Sequence, residues 1–142
     1  MVIVSHRGNL KGSCTEENKP EAIIKASNIC YCELDLWACN NQLYLGHDKP
    51  LYKIAEDFLH RDNLIIHAKN LDAVNFLYNT GYHWFWHEQD MLTITSKGKL
   101  WCYPDIYIPS GITVVKHKNF KLGSYGLCTD YPLELISQLS RI

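Results

Sequence analysis

The sequence predicts an α/β fold: a reduced or partly open (β/α) TIM-type barrel with mostly parallel strands and several helices lost. Three observations lead there. Short β-branched or apolar runs alternate with helical patterns, the order that builds a largely parallel sheet. Polar residues gather where successive strands end, at His6-Arg7, at His67 to Lys69 and at His87, and such barrels build their sites at that end. The chain has 142 residues, whereas a complete eight-unit barrel takes roughly 200 or more, so several helices must have shrunk to loops. One domain over residues 1–142 is expected.

Val2 to Ser5 is a β-branched run that stops at His6-Arg7-Gly8, where the glycine opens a polar loop through Glu17. Asn18 stands where a cap would precede a helix with Pro20 and Glu21 in its first turn. Ile23, Ile24 and Ala26 give that helix its apolar side, and it should stop near Asn28. Cys30 to Leu36 is the next strand. Side chains alternate between the two faces of a strand, so Tyr31, Glu33 and Asp35 share one face, with Cys30, Cys32, Leu34 and Leu36 on the other. The second set is small and apolar, as expected beneath covering helices, which turns both acids into the interior. Like charges at i and i+2 repel, so the pair calls for a cation between them or a shared proton.

Asn40-Asn41 marks a turn, after which Gln42 to Leu45 returns as a strand to Gly46-His47-Asp48 and brings His47 near the acids. Leu51 to His60 is amphipathic and reads as a short helix. Leu64 to Ala68 is an apolar strand with His67 and Lys69 on one face. Asn70 caps a helix over Leu71 to Tyr78, which Gly81 should end. His83 to Trp86 leads to His87, Glu88 and Asp90, and Met91 to Thr95 and Leu100 to Tyr103 flank a Lys97-Gly98 turn. Ile112 to Val115 and Tyr125 to Asp130 complete the strands, and Pro132 opens a helix carrying Leu135, Ile136 and Leu139.

Composition removes several function classes. Hydrophobic residues make up 46% and charged ones 20%, a globular rather than disordered balance. A formal net charge of -1 gives no basic field for a nonspecific nucleic-acid binder, so any phosphate must be met by a metal or a few placed cations. Met1 to Ser5 reaches His6-Arg7 before it attains the length of a signal-peptide core, and no run approaches the ~20 apolar residues of a membrane helix. The expectation is a cytoplasmic protein without stable membrane insertion, with reduced thiols at its six cysteines.

Taken in order, His6-Arg7-Gly8, Glu17-Asn18, Glu33-Leu34-Asp35-Leu36, Gly46-His47-Asp48 and Cys128-Thr129-Asp130-Tyr131-Pro132 resemble the landmarks of glycerophosphodiester phosphodiesterases. The chain would be a short member of the phosphatidylinositol phospholipase C-like phosphodiesterase barrels. The resemblance implies that His6 and His47 are general acid and base, with Arg7 in the same pocket. It implies that Glu33 and Asp35 bind a divalent cation, Ca2+ or Mg2+, both suited by oxygen donors. Glu17 and Lys69 join Arg7 as substrate or phosphate contacts. The implied reaction begins with attack of a neighbouring glycerol hydroxyl on phosphorus, and water then opens the cyclic phosphate. The substrate class is a small phosphodiester of lipid metabolism.

One departure stands out. The family carries Glu-x-Lys where this chain has His67-Ala68-Lys69, and that glutamate is the third protein ligand to the metal. His67 is left open between metal ligand, phosphate contact and satisfied core histidine. His87, Glu88 and Asp90 are candidate replacements or a solvated strand end, and Trp86 and His87 are candidate pocket residues. Trp84 and Trp86 read as core or pocket wall. Plainer roles stand beside the others: Glu33 and Asp35 as buried partners of Arg7 and Lys69, Cys30 and Cys32 as packing rather than zinc ligands, Asp130 as a turn and helix cap before Pro132. A noncatalytic relative that binds a phosphorylated ligand or partner, and a lysophospholipid-cleaving phospholipase, are the alternative functions. An incomplete barrel leaves apolar edge surface, which a homodimer would cover.

Overall fold

A computed structural model describes residues 1–142. In chain order the strands are β1 Val2–Ser5, β2 Tyr31–Cys39, β3 Gln42–Leu45, β4 Tyr52–Ile54, β5 Leu64–Ala68, β6 Trp84–Trp86, β7 Leu92–Ile94, β8 Leu100–Cys102, β9 Gly111–Val115 and β10 Gly126–Thr129. The helices are α1 Pro20–Ser27, α2 Leu71–Tyr78 and α3 Pro132–Leu139. All ten strands join one sheet in a mixed α/β fold, curled like part of a barrel. Around the curl, β8, β9, β10, β1, β2, β5 and β6 pair in parallel with their neighbours. The departures from parallel order are β7 on β8 and the β2–β3–β4 meander, all antiparallel. Past the end of β7, the Ser96 amide donates to the Trp84 carbonyl at 2.7 Å and the Trp84 amide donates to Ser96 Oγ at 2.9 Å, which draws the two margins of the curl together.

Alternation divides the apolar residues into two layers. Cys32, Leu34 and Leu36 of β2 and Ile66 and Ala68 of β5 face outward and pack under Ile23 and Ala26 of α1 and Ala73 and Leu77 of α2. Val4, Ile65, Phe85, Trp101, Ile112, Val114 and Cys128 fill the inside of the curl. Val115, Leu127 and Leu135 form a smaller cluster beneath α3. Each fully buried leucine or isoleucine contributes about 1.5–3 kcal/mol, so this patterning, set by a two-residue period, fixes which face of each strand looks inward.

Several local expectations are met. Asn70 Oδ1 accepts the Ala73 amide at 3.0 Å and caps α2. Asn40 and Asn41 both have positive φ, 51° and 60°, the left-handed pair that a two-residue hairpin between β2 and β3 requires. Three others are corrected. Leu51 to His60 is not a helix: Tyr52–Ile54 pairs as β4 with β3, and Glu56–Leu59 forms a single 3₁₀ turn that buries Leu59. Pairing along the free side of the hairpin satisfies that backbone, and Tyr52 and Ile54 fit a two-residue period as well as a helical one. Asn18 does not cap α1, whose N-cap is Lys19 with no side-chain bond; it has φ 62° and its amide is used elsewhere. The second helix covers Leu71–Tyr78 as expected, but Asn79 is its C-cap and Gly81, expected to end it, lies beyond the cap.

Candidate active site

The register of the parallel strands assembles the site. Val4 to Ser5 lies beside Tyr31 to Cys32, Ser5 beside Thr129, and Asp35 directly opposite His67. His6, Asp130, Glu33, Asp35, His67 and Lys69 therefore leave the sheet at one end, from neighbouring strands spaced about 4.8 Å apart. A pocket of about 560 Å³ opens there, and His6, Arg7, Glu33, His47, His67, Lys69, Trp86 and His87 all line it. The residues expected to form a site thus meet, with two exceptions: Asp35 lies beneath the floor and Glu17 stands behind Arg7.

The turn after β1 is held in a costly conformation. Arg7 has φ 57° and Gly8 φ 79°, and a non-glycine residue in the left-handed region requires support from its surroundings. Glu33 supplies it by accepting the Arg7 amide on Oε2 at 3.0 Å, and the Arg7 carbonyl accepts the Asn18 amide at 2.9 Å. The guanidinium donates to Glu17 Oε2 at 3.2 Å and lies 3.5 Å from Asp35 Oδ2. Burial works against its charge, but Glu33, Asp35 and Glu17 together raise its pKa. Glu17 also accepts from Ser13 and Asn9. Against burial, these bonds and Arg7 lower the pKa of its carboxyl.

Both candidate acid–base histidines have Nδ1 against an aspartate. His6 Nδ1 is 2.8 Å from Asp130 Oδ1, and His47 Nδ1 is 2.8 Å from Asp48 Oδ1. A carboxylate oxygen accepts the Nδ1 hydrogen, which leaves Nε2 of each ring for proton exchange. Asp130 also accepts Asn9 Nδ2 at 2.9 Å. Despite burial, His6 and Asn9 keep its carboxyl below the ordinary range. The expected helix-cap role of Asp130 is corrected here, since α3 is preceded by Tyr131 with no side-chain cap. His47 follows Gly46, where a Cβ would collide with the Lys49 carbonyl oxygen, and Trp37 Nε1 donates to the Gly46 carbonyl at 2.7 Å. Partial burial lowers the pKa of His47, with the nearby Arg7 adding to the effect.

Beneath the pocket, Glu33, Asp35 and His67 bring one ligand-type atom each to within 4.8 Å of one another. Asn18 secures Asp35 twice: Nδ2 donates to Oδ2 at 2.8 Å, and Oδ1 accepts the Asp35 amide at 2.9 Å. The other carboxylate oxygen, Asp35 Oδ1, is 3.1 Å from His67 Nδ1 and accepts no hydrogen bond. Burial opposes its charge, yet His67, Arg7 and Asn18 hold the Asp35 carboxyl well below the usual range. Glu33 moves the other way, because burial and the Asp35 charge outweigh Arg7 and push its pKa well up. A buried carboxylate oxygen without a donor, facing an imidazole nitrogen and a second acid, fits a divalent cation.

Sequence reasoning missed Asn9, Asn18 in its actual role, Asp130 as the partner of His6, and the wall residues Trp37, Trp101, Tyr103 and Lys116. Asp130 and Asn18 both lay inside motifs quoted for the resemblance, so their positions were marked although their functions were not. Lys116 follows β9 at the pocket end of the sheet, where its place resembles that of Lys69 after β5. Glu88 lines the pocket, while Asp90 instead accepts from His87 Nδ1 at 2.8 Å. Comparison with known proteins identifies no relative: no family model, curated protein or solved structure matches the chain.

Proposed function

We propose that this chain is a metal-assisted phosphodiesterase on a reduced (β/α) barrel, hydrolysing glycerophosphodiesters or similar small phosphodiesters. The observation that carries the reading is the convergence of two imidazoles, each tied to an aspartate through Nδ1, on a pocket that also presents Arg7, Lys69 and Glu33. Glu33, Asp35 and His67 would hold the divalent cation, which supplies Lewis-acid polarisation of a phosphoryl oxygen. Arg7 and Lys69 receive the remaining phosphate charge.

His47, kept neutral by its lowered pKa, takes the proton of the attacking hydroxyl on Nε2. His6, oriented through Nδ1 by the Asp130 carboxylate, delivers a proton from Nε2 to the leaving alkoxide. When water opens the resulting cyclic phosphate, the two rings exchange roles. Glu17 and Asn9 act at one remove, orienting Arg7 and Asp130.

A second reading draws on the pocket wall. Trp37, Trp86, Trp101 and Tyr103 give the cavity an aromatic side, which suits a substrate with an apolar portion such as a lysophospholipid. Purified protein is offered glycerophosphocholine, lysophosphatidylcholine and bis(p-nitrophenyl) phosphate with each of several divalent ions. Turnover that disappears in His6→Ala and His47→Ala is expected, by about 10²–10⁴-fold for each. Ligand binding without turnover in the wild type would instead assign the chain to noncatalytic phosphate binders.

A further inference from the structure

His67 brings nitrogen to a site whose other donors are oxygen, and its surroundings fix which nitrogen. His67 Nε2 lies 3.0 Å from the carbonyl oxygen of His87. A carbonyl only accepts, so Nε2 carries hydrogen, and the opposite atom, Nδ1, faces Asp35 Oδ1 at 3.1 Å and Glu33 Oε1 at 3.9 Å. The ring cannot readily swivel, because it stacks on Phe85 with centroids 4.7 Å apart and planes 19° from parallel. Asp35 is fully buried, and its Oδ1 has no hydrogen-bond donor although Nδ1 is close. With the ring neutral, Nδ1 presents a lone pair, so it and carboxylate oxygens of Asp35 and Glu33 converge as three donors to a cation. The His87 carbonyl behind the ring is the outer support that metal-bound imidazoles commonly use to fix their tautomer.

We propose that Glu33, Asp35 and His67 form a mixed carboxylate–imidazole centre that selects a borderline first-row dication, with zinc as its representative, over calcium and magnesium. This rests on the metal-holding reading of the site given above and narrows it. Calcium takes six to eight oxygen ligands and magnesium holds its waters in a near-octahedral shell, whereas zinc accepts imidazole and carboxylate together at low coordination number. A cluster of three protein donors with a nitrogen among them meets the second requirement and falls short of the first. The Ca2+ or Mg2+ implied by the sequence resemblance assumes a glutamate at position 67, which this chain lacks.

The test is calorimetric titration of chelator-stripped protein with Zn2+, Ca2+ and Mg2+, repeated on His67→Glu and Asp35→Asn. Zinc should bind the wild type at least about a hundredfold more tightly than calcium, and His67→Glu should cut that ratio by about tenfold or more. If three clustered acids prevent His67→Glu from folding, His67→Gln supplies the same readout. Zinc and calcium binding within about threefold of each other, or a ratio unchanged by both position-67 variants, overturns the proposal. Zinc binding undiminished in Asp35→Asn also overturns it, by locating the ion outside this cluster. Hydrolysis is assayed separately: zinc-selective binding without turnover supports this centre and removes the phosphodiesterase reading, and calcium-selective binding with turnover does the reverse.

Discussion

The strand ends around His6 and the hairpin arm around His47 use the same chemical pair in opposite surroundings. Each imidazole meets an aspartate oxygen through Nδ1 at 2.8 Å. The side chains of His6 and Asp130 are 9% and 8% exposed, whereas those of His47 and Asp48 are 39% and 92% exposed. Asp130 has a second donor in Asn9, and Asp48 makes its contact at the water-facing edge of the pocket. A buried, doubly bonded carboxylate determines the orientation and tautomer of its partner, while an exposed ion pair contributes roughly 0–1 kcal/mol and exchanges freely with water. Equal distances therefore do not imply equal influence, and the His47 side must be positioned by something other than its aspartate. Gly46 and Trp37 provide it through the backbone.

The largest effect should come from Asp130→Asn. The amide can offer its NH2 group to Nδ1 and stabilise the wrong tautomer, so kcat/KM for a phosphodiester should fall by about 10²–10⁴-fold while the far-ultraviolet circular dichroism is preserved. Next is Gly46→Ala, whose Cβ cannot coexist with the Lys49 carbonyl in the present backbone. Moving the loop that carries His47 should reduce kcat/KM by about 10²-fold and lower stability by about 1–3 kcal/mol, read from steady-state kinetics and urea unfolding.

A third prediction separates loss of stability from loss of catalysis at low pH. Burial, followed by Lys97 and Lys99, pushes the His83 pKa down to about 4 from an ordinary 6.5. Its Nε2 is 2.6 Å from Thr95 Oγ1, away from the pocket. The unfolded chain binds this proton more readily than the folded one, so the stabilisation is complete above about pH 6.5 and is lost as pH falls toward about 4. Urea midpoints between those limits should decline in the wild type and decline less in His83→Gln. The acidic limb of kcat/KM, set by the lowered pKa of His47, should remain where it was in that variant. A shift of both together would mean that activity at low pH merely follows unfolding.

The smallest effect is expected from Asp48→Asn, with kcat/KM changed by less than about threefold and stability by less than about 0.5 kcal/mol. A loss as large as that of Asp130→Asn would erase the distinction between the two histidines and make Asp48 the orienting group of the hairpin arm.

Much of this molecule follows from short-range pattern. The two-residue alternation of Cys30 to Leu36 assigned both acids to one face and the apolar residues to the other, and Asn40-Asn41 and Asn70 specified a hairpin and a helix start. Such features depend on a few consecutive side chains and their preferred backbone angles. Leu51 to His60 escaped that reading because an edge-strand pairing competes with a weak helical pattern, and only the partner strand decides between them.

Local pattern sufficed for the strand faces, the principal turns and the residue types available at the strand ends. Tertiary structure alone decided that Asp130 meets His6 across 124 positions, that Asn18 serves Asp35 rather than a helix, and that the His87 carbonyl assigns the His67 tautomer. Local preferences act within a turn or a strand, but hydrogen-bond partners at a sheet's end are chosen by the register between distant strands. That register is the joint outcome of every layer of packing around the curl.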